Sequence, residues 1–188
     1  MAVSGCASTG GAGEPAAAPA PLAISEVLTS PPRDPGGLAF SVALRNDGDA
    51  PVTVTDVSAV ADDGVTVEIL GASTCHKGCP GAMNWRDAEP MLPDTIEFSG
   101  TFPVPPAADV QAGRADPVKV VMRVRPADAA AKRKLEGGCL FVRRLLLSVD
   151  GGEPVPARND HADFVVALDR LDAGVPGVEP GCAEPQGS

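Results

Sequence analysis

The sequence has no tyrosine, one tryptophan and five phenylalanines, and aromatic residues make up 3 % of its 188 positions. A core filled by large rings is excluded. Packing must rest on Val, Leu, Ile and Ala, within a hydrophobic fraction of 44 %. Bases are also scarce: 15 Lys and Arg against 25 Asp and Glu give a formal net charge of −10. A surface of that sign repels phosphate backbones and anionic lipid, so no nucleic-acid partner is expected. No apolar run approaches the roughly 20 residues that a spanning helix needs. There are only two histidines, His76 and His161. Neither a nucleophile elbow nor a Gly-rich phosphate loop after a strand is present, and no repeat recurs at solenoid or propeller spacing. No catalytic residue and no cofactor are therefore expected.

What is abundant is Gly, at 21, and Pro, at 20, which suits many short strands joined by turns. Residues 7–21, ASTGGAGEPAAAPAP, hold nothing that packs a core and read as a flexible tether. Residues 173–188 have a similar composition and read as an irregular tail. The division expected is a tether over 1–21, one domain over 22–172 and the tail.

Within the domain the apolar period is two. In LAFSVALRN, Leu38, Phe40, Val42 and Leu44 alternate with Ala39, Ser41, Ala43 and Arg45, the pattern of a half-buried strand. Turn residues Asn46-Asp47-Gly48-Asp49 precede VTVTDVSAV, whose phase slips near Asp56: Val52 and Val54 share one face, Val57 and Ala59 the other. That predicts a bulge. Asp63-Gly64 then marks a hairpin turn before Val65, Val67 and Ile69. Further strands are expected in LAISEVLT, in TIEFSGTFPV (Ile96, Phe98, Phe102, Val104), in VKVVMRVR, in CLFVRRLLLSV and in DFVVALDR (Phe164, Val166, Leu168 inward). One short helix is expected from Asp128, its cap, towards Gly137, with Lys132-Arg133-Lys134 on a solvated face. About eight strands with one short crossover helix define an all-β fold, an antiparallel sandwich. LAFSVALRNDGDAPVTVTDVSAV also resembles a hairpin of bacterial immunoglobulin-like and fibronectin-type modules, which implies an immunoglobulin-like β-sandwich and no particular ligand.

Five cysteines is an odd number. Val3-Ser4-Gly5-Cys6 resembles the bacterial lipobox: an aliphatic residue, two small residues, then the cysteine that receives diacylglycerol. The resemblance implies a lipid on Cys6, a membrane tether and an extracytoplasmic location in the cell envelope. Only Met1 and Ala2 precede the motif, so the signal peptide of such a protein is expected to be missing from this chain. With Cys6 lipidated, Cys75, Cys79, Cys139 and Cys182 form an even set in a compartment that permits disulfides. They can pair as Cys75–Cys79 with Cys139–Cys182, or across these pairs.

The stretch CHKGCPGAMNW carries the densest chemistry. Cys75, His76, Cys79 and Met83 form an alternative soft-metal set for copper or zinc. The stretch resembles part of the dinuclear copper loop of cytochrome oxidase subunits, and the Cys-x-x-x-Cys-Pro motif of copper chaperones. It departs from the first by placing Met83 where a His is wanted, and from the second by having no βαβ setting. Three residues between the cysteines, followed by Pro80, also differ from a thioredoxin-type redox motif. Long connections on rigid scaffolds carry binding, so Met83, Asn84, Trp85 and Arg86 are the candidate binding-loop residues, within Gly71–Asp94. Asp47 with Asp49, and Asp62 with Asp63, are acidic turn pairs that resemble weak calcium ligands or ordinary turns. The function expected is a lipid-anchored binding or structural module, with an envelope protein or a glycan as partner and no catalysis.

Overall fold

A computed structural model describes residues 22–24, 28–30, 36–81, 83–131, 140–159 and 166–168. Cys6, Cys139, Cys182, His161, Phe164, the tether, the tail and most of the crossover helix lie outside these residues. The fold is all-β and consists of two sheets packed face to face. In chain order the strands are β1 (Leu22–Ile24), β2 (Leu28–Ser30), β3 (Leu38–Asn46), β4 (Val52–Ala61), β5 (Val65–Ser73), β6 (Met83–Asn84), β7 (Phe102–Val104), β8 (Val118–Pro126), β9 (Leu140–Val149), β10 (Val155–Pro156), β11 (Arg158–Asn159) and β12 (Val166–Leu168). The first sheet runs β11-β1-β3-β8-β5, with β6 continuing along β3. The second runs β2-β12-β9-β4-β7, with β10 on β9. This is the expected sandwich, with more and shorter strands than the pattern implied.

The long strands fall where alternation put them, but several connections differ. β3 and β4 lie in different sheets, as do β4 and β5. Asn46–Asp49 and Asp62–Gly64 are therefore arches between sheets, not hairpin turns. Turn residues reverse the chain equally well in either case. LAISEVLT splits into β1 in the first sheet and β2 in the second, where β2 pairs in parallel with β12. TIEFSGTFPV is not one strand. Thr95 ends a short helix, Phe98 makes a single bridge to Ala72, and only Phe102–Val104 is regular. The crossover helix does begin where expected, since Asp128 Oδ1 accepts from the Ala130 and Ala131 amides at 2.8 Å each.

Packing follows from the absent aromatics. Phe40, Leu22, Ile24, Leu38 and Met122 of the first sheet and Val54, Val104, Leu145 and Leu147 of the second are almost fully buried. Aliphatic chains of this size interdigitate across the roughly 10 Å between stacked sheets. The register of β4 against β9 shifts between Val54 and Asp56. That extra residue restores the phase, so Val57, Ala59 and Ala61 pack against the same core as Val52 and Val54.

One buried polar side chain ties the sheets together. Asn46 ends β3 with no exposed surface. Its Nδ2 donates to Ala50 O at 2.8 Å and, in the other sheet, to Val104 O at 3.1 Å, while Oδ1 accepts from Gly48 N at 2.9 Å. The arch thus begins on an amide whose groups are all used. Replacing Asn46 by Ala should lower stability by on the order of 3 kcal/mol, since each buried group left unpaired costs about 1–3 kcal/mol. Urea unfolding followed by circular dichroism checks this: the midpoint should fall with an unchanged slope.

Candidate functional site

The segment holding the sequence-picked residues is not an open loop. It covers the outer face of the first sheet. The reason lies in β3, where Ala39, Ser41 and Ala43 point outward yet are buried, along with Val121 of β8. Small side chains let a second piece of chain lie close. The half-buried pattern of LAFSVALRN is thereby corrected: water reaches neither side of this strand over Leu38–Leu44.

The cover starts at the end of β5. Ser73 Oγ accepts from Cys75 N at 2.9 Å, Cys75 takes φ +63°, and Gly78 N donates to Cys75 O at 2.9 Å. Gly78, at φ +95°, meets no neighbour where a Cβ would stand, so only its backbone conformation calls for glycine. This tight bend brings Cys75 and Cys79 into a disulfide, with Cα atoms 5.0 Å apart. By loop entropy a ring this small contributes about 2 kcal/mol. From there Pro80 O accepts the buried Ser41 hydroxyl at 2.9 Å. Met83 and Asn84 pair with Ala39 and Leu38 as β6, and Trp85 N donates to Gly37 O at 3.0 Å. Three short helical turns follow over Trp85–Ala88, Glu89–Met91 and Leu92–Thr95. The buried Thr95 hydroxyl donates to Met91 O at 2.9 Å.

Trp85 is half-buried. The Arg123 guanidinium lies 3.9 Å from its ring centroid and donates twice to Gly36 O, at 2.9 and 2.7 Å. One arginine on β8 thus clamps the start of β3 and the middle of the cover. Arg86 is exposed. The four binding-loop candidates are therefore contiguous, but Met83, Asn84 and Trp85 hold the cover on the sheet with their backbones.

The metal alternative meets a different arrangement. The two sulfurs are bonded to each other, so neither is a thiolate. His76 is exposed and turned to Asp116, with Nε2 3.0 Å from Oδ2. Among the described residues no group of three His, Cys, Asp or Glu side chains is placed to hold a metal ion. The acidic turns are engaged by arginine. Asp47 pairs with Arg45 at 2.8 Å and with Arg158, and Asp62 pairs with Arg143 at 2.7 Å. The Arg45 hydrogen bond, with that of Arg158, holds the Asp47 carboxyl below its ordinary value.

Sequence reasoning missed a latch beside the disulfide. Glu97 Oε2 accepts from Thr74 Oγ1 at 2.6 Å and from Thr74 N at 2.8 Å. The Thr74 hydroxyl first, then its backbone N–H, lowers the Glu97 carboxyl below its ordinary value. The two residues stand 23 apart, and nothing periodic links them.

Fold and site together define a class: an all-β, two-sheet sandwich whose outer face carries a disulfide-closed cover. No family model matches the chain, and no curated protein matches it. Among solved structures the chain is similar to "Secreted serine protease VesC from Vibrio cholerae", at 12 % identity and a TM-score of 0.37, covering 79 % of this chain. The match spans 23 % of that protein's length, and at that TM-score it bears on neither fold nor activity.

Two outcomes follow. Arg123→Ala should lower the unfolding free energy by about 1–3 kcal/mol, from two charge-assisted hydrogen bonds and the ring contact, seen as a lower urea midpoint. The Glu97 latch is pH-dependent. Its folded pKa lies below the unfolded one, so its stabilisation is present above the unfolded value and is lost as pH falls through the folded one. Glu97→Gln should therefore unfold at lower urea than the parent at neutral pH, and the two midpoints should converge in acid.

Proposed function

We propose that this protein is a lipid-anchored, extracytoplasmic module of a bacterial cell envelope that acts by binding or scaffolding, without catalysis. The observation that carries the reading is Val3-Ser4-Gly5-Cys6 standing directly before an Ala/Gly/Pro tether and a β-sandwich. A lipidated cysteine at that point places the tether between membrane and domain. Each buried CH2 of the lipid adds about 0.8 kcal/mol of membrane affinity. The Cys75–Cys79 disulfide supports an oxidising compartment, because such bonds persist outside the cytosol. The arginine-paired acidic turns and the packed cover support a scaffold that presents a surface. Such modules take an envelope protein or a glycan as partner.

The test is the mass of the gene product isolated from its own cells. The N-terminal peptide should begin at Cys6 and carry acyl chains, and Cys6→Ser should release the protein from the membrane fraction. A product with an unmodified Cys6, fractionating with the cytosol, overturns the reading.

A further inference from the structure

Among the described residues, one side of the sandwich stands open. β5 is, among the described residues, the outermost strand of the first sheet, and beyond Val54 β4 pairs on one side only in the second. These two edges lie on the same side of the molecule, joined by the Asp62–Gly64 arch. Between them runs a seam of about 250 Å3, lined by Thr55, Asp56, Val57, Ile69, Leu70 and Phe102, among others.

The ladder fixes which backbone groups face outward on β5. Ala72 exchanges hydrogen bonds with Phe98 outside the sheet, Ala72 N to Phe98 O at 2.9 Å and Phe98 N to Ala72 O at 3.0 Å. Its partner across the sheet, Val120, therefore faces β3, and by alternation so do Met122 and Val124. Ile69 and Val67, opposite these two, must then turn their N–H and C=O outward. Among the described residues neither group has a partner there. The chain thus pairs its own segment with this edge at Ala72 and stops. Gly71 marks the stop: at φ +144°, a Cβ there would meet Phe98 O at 2.4 Å. The side chains of Val67 and Ile69 face the core. An added strand would therefore set every second residue over the seam.

Charge selects the occupant. From Val52 to Ser73 the sequence holds Asp56, Asp62, Asp63 and Glu68 and no Lys or Arg. Asp62 is matched by Arg143, and Glu68 has Arg123 at 3.9 Å, while Asp56 is exposed. Two copies of this chain, each at −10, would bring Glu68 against Glu68 across a shared edge, which charge opposes. We propose that the β5 edge at Val67 and Ile69 is a strand-addition site for an extended protein segment that alternates aliphatic and basic residues. Aliphatic side chains enter the seam and basic ones stand across from Glu68. This deepens the reading as a binding module, yet strand addition and lipidation of Cys6 are tested separately and either can fail alone.

The probe is the nonapeptide Lys-Val-Lys-Val-Lys-Val-Lys-Val-Lys, added to the full 188-residue chain and followed by amide hydrogen exchange. At saturating peptide the Val67 and Ile69 amides should exchange at least tenfold more slowly. A peptide with Glu in place of Lys, and one N-methylated at alternate valines, should give no protection. Glu68→Lys, a change on an exposed side chain, should weaken binding at least tenfold, and so should 0.5 M salt. Val67→Pro, which removes the outward N–H and exchanges a core-facing valine for the proline ring, should abolish protection at Ile69. No protection by the Lys/Val peptide, equal binding of the Glu/Val peptide, unchanged affinity in Glu68→Lys, or protection at Val57 and Ala59 instead would each overturn the proposal.

Discussion

From Leu38 to Leu44 β3 is buried on both faces, and the rest of the molecule is arranged around that constraint. Inward it offers Leu38, Phe40, Val42 and Leu44 to the opposing sheet. Outward, over the covered stretch, it offers Ala39, Ser41 and Ala43. Small outward residues admit a covering segment, but leave it little apolar surface to grip. The cover is held instead by polar and covalent means: the Ser41–Pro80 hydrogen bond, β6 pairing, the Arg123 clamp and the Cys75–Cys79 bond. A cysteine-rich, Pro/Gly-rich stretch in this place is explained by the need to fold chain closely without a hydrophobic anchor.

The same economy governs the join between sheets. A core without tyrosine and with one tryptophan fills with aliphatic chains, which give little directional preference. Orientation comes from a few satisfied polar groups. Asn46 fixes where β3 leaves the first sheet and how Val104 stands in the second. Asp47 then joins Arg45 to Arg158 just beyond it, linking the arch to β11. The Arg143–Asp62 pair secures the other arch. The carboxylates at both bends thus serve the fold.

Much of the fold was legible. Period-two runs located β3, β4, β5 and β8, each of which turns alternate aliphatic residues to the core, and the largely apolar CLFVRRLLLSV located β9. The bulge after Val54 was legible for the same reason, as a slip in that period. Sheet membership was not. Asn-Asp-Gly and Asp-Asp-Gly reverse the chain, whether the next strand pairs or crosses to the facing sheet. The double burial of β3 was hidden too, since Ala and Ser at alternate positions read equally as solvent-facing. At the candidate site the short disulfide was among the pairings the cysteines allowed. The Thr74–Glu97 latch and the Arg123–Trp85 stack depend on residues brought together from distant strands, and no local pattern encodes them. The open edge of β5 was equally invisible, because an edge is a property of topology.

The placement of Trp85 has a spectroscopic consequence. It is the sole tryptophan, and tyrosine is absent. The near-ultraviolet signal and intrinsic emission of this protein therefore originate almost wholly in the cover, next to the Arg123 guanidinium. The far-ultraviolet signal originates in the sheets. The two optical windows view different layers, so their coincidence or separation during unfolding measures whether cover and sandwich melt as one cooperative unit.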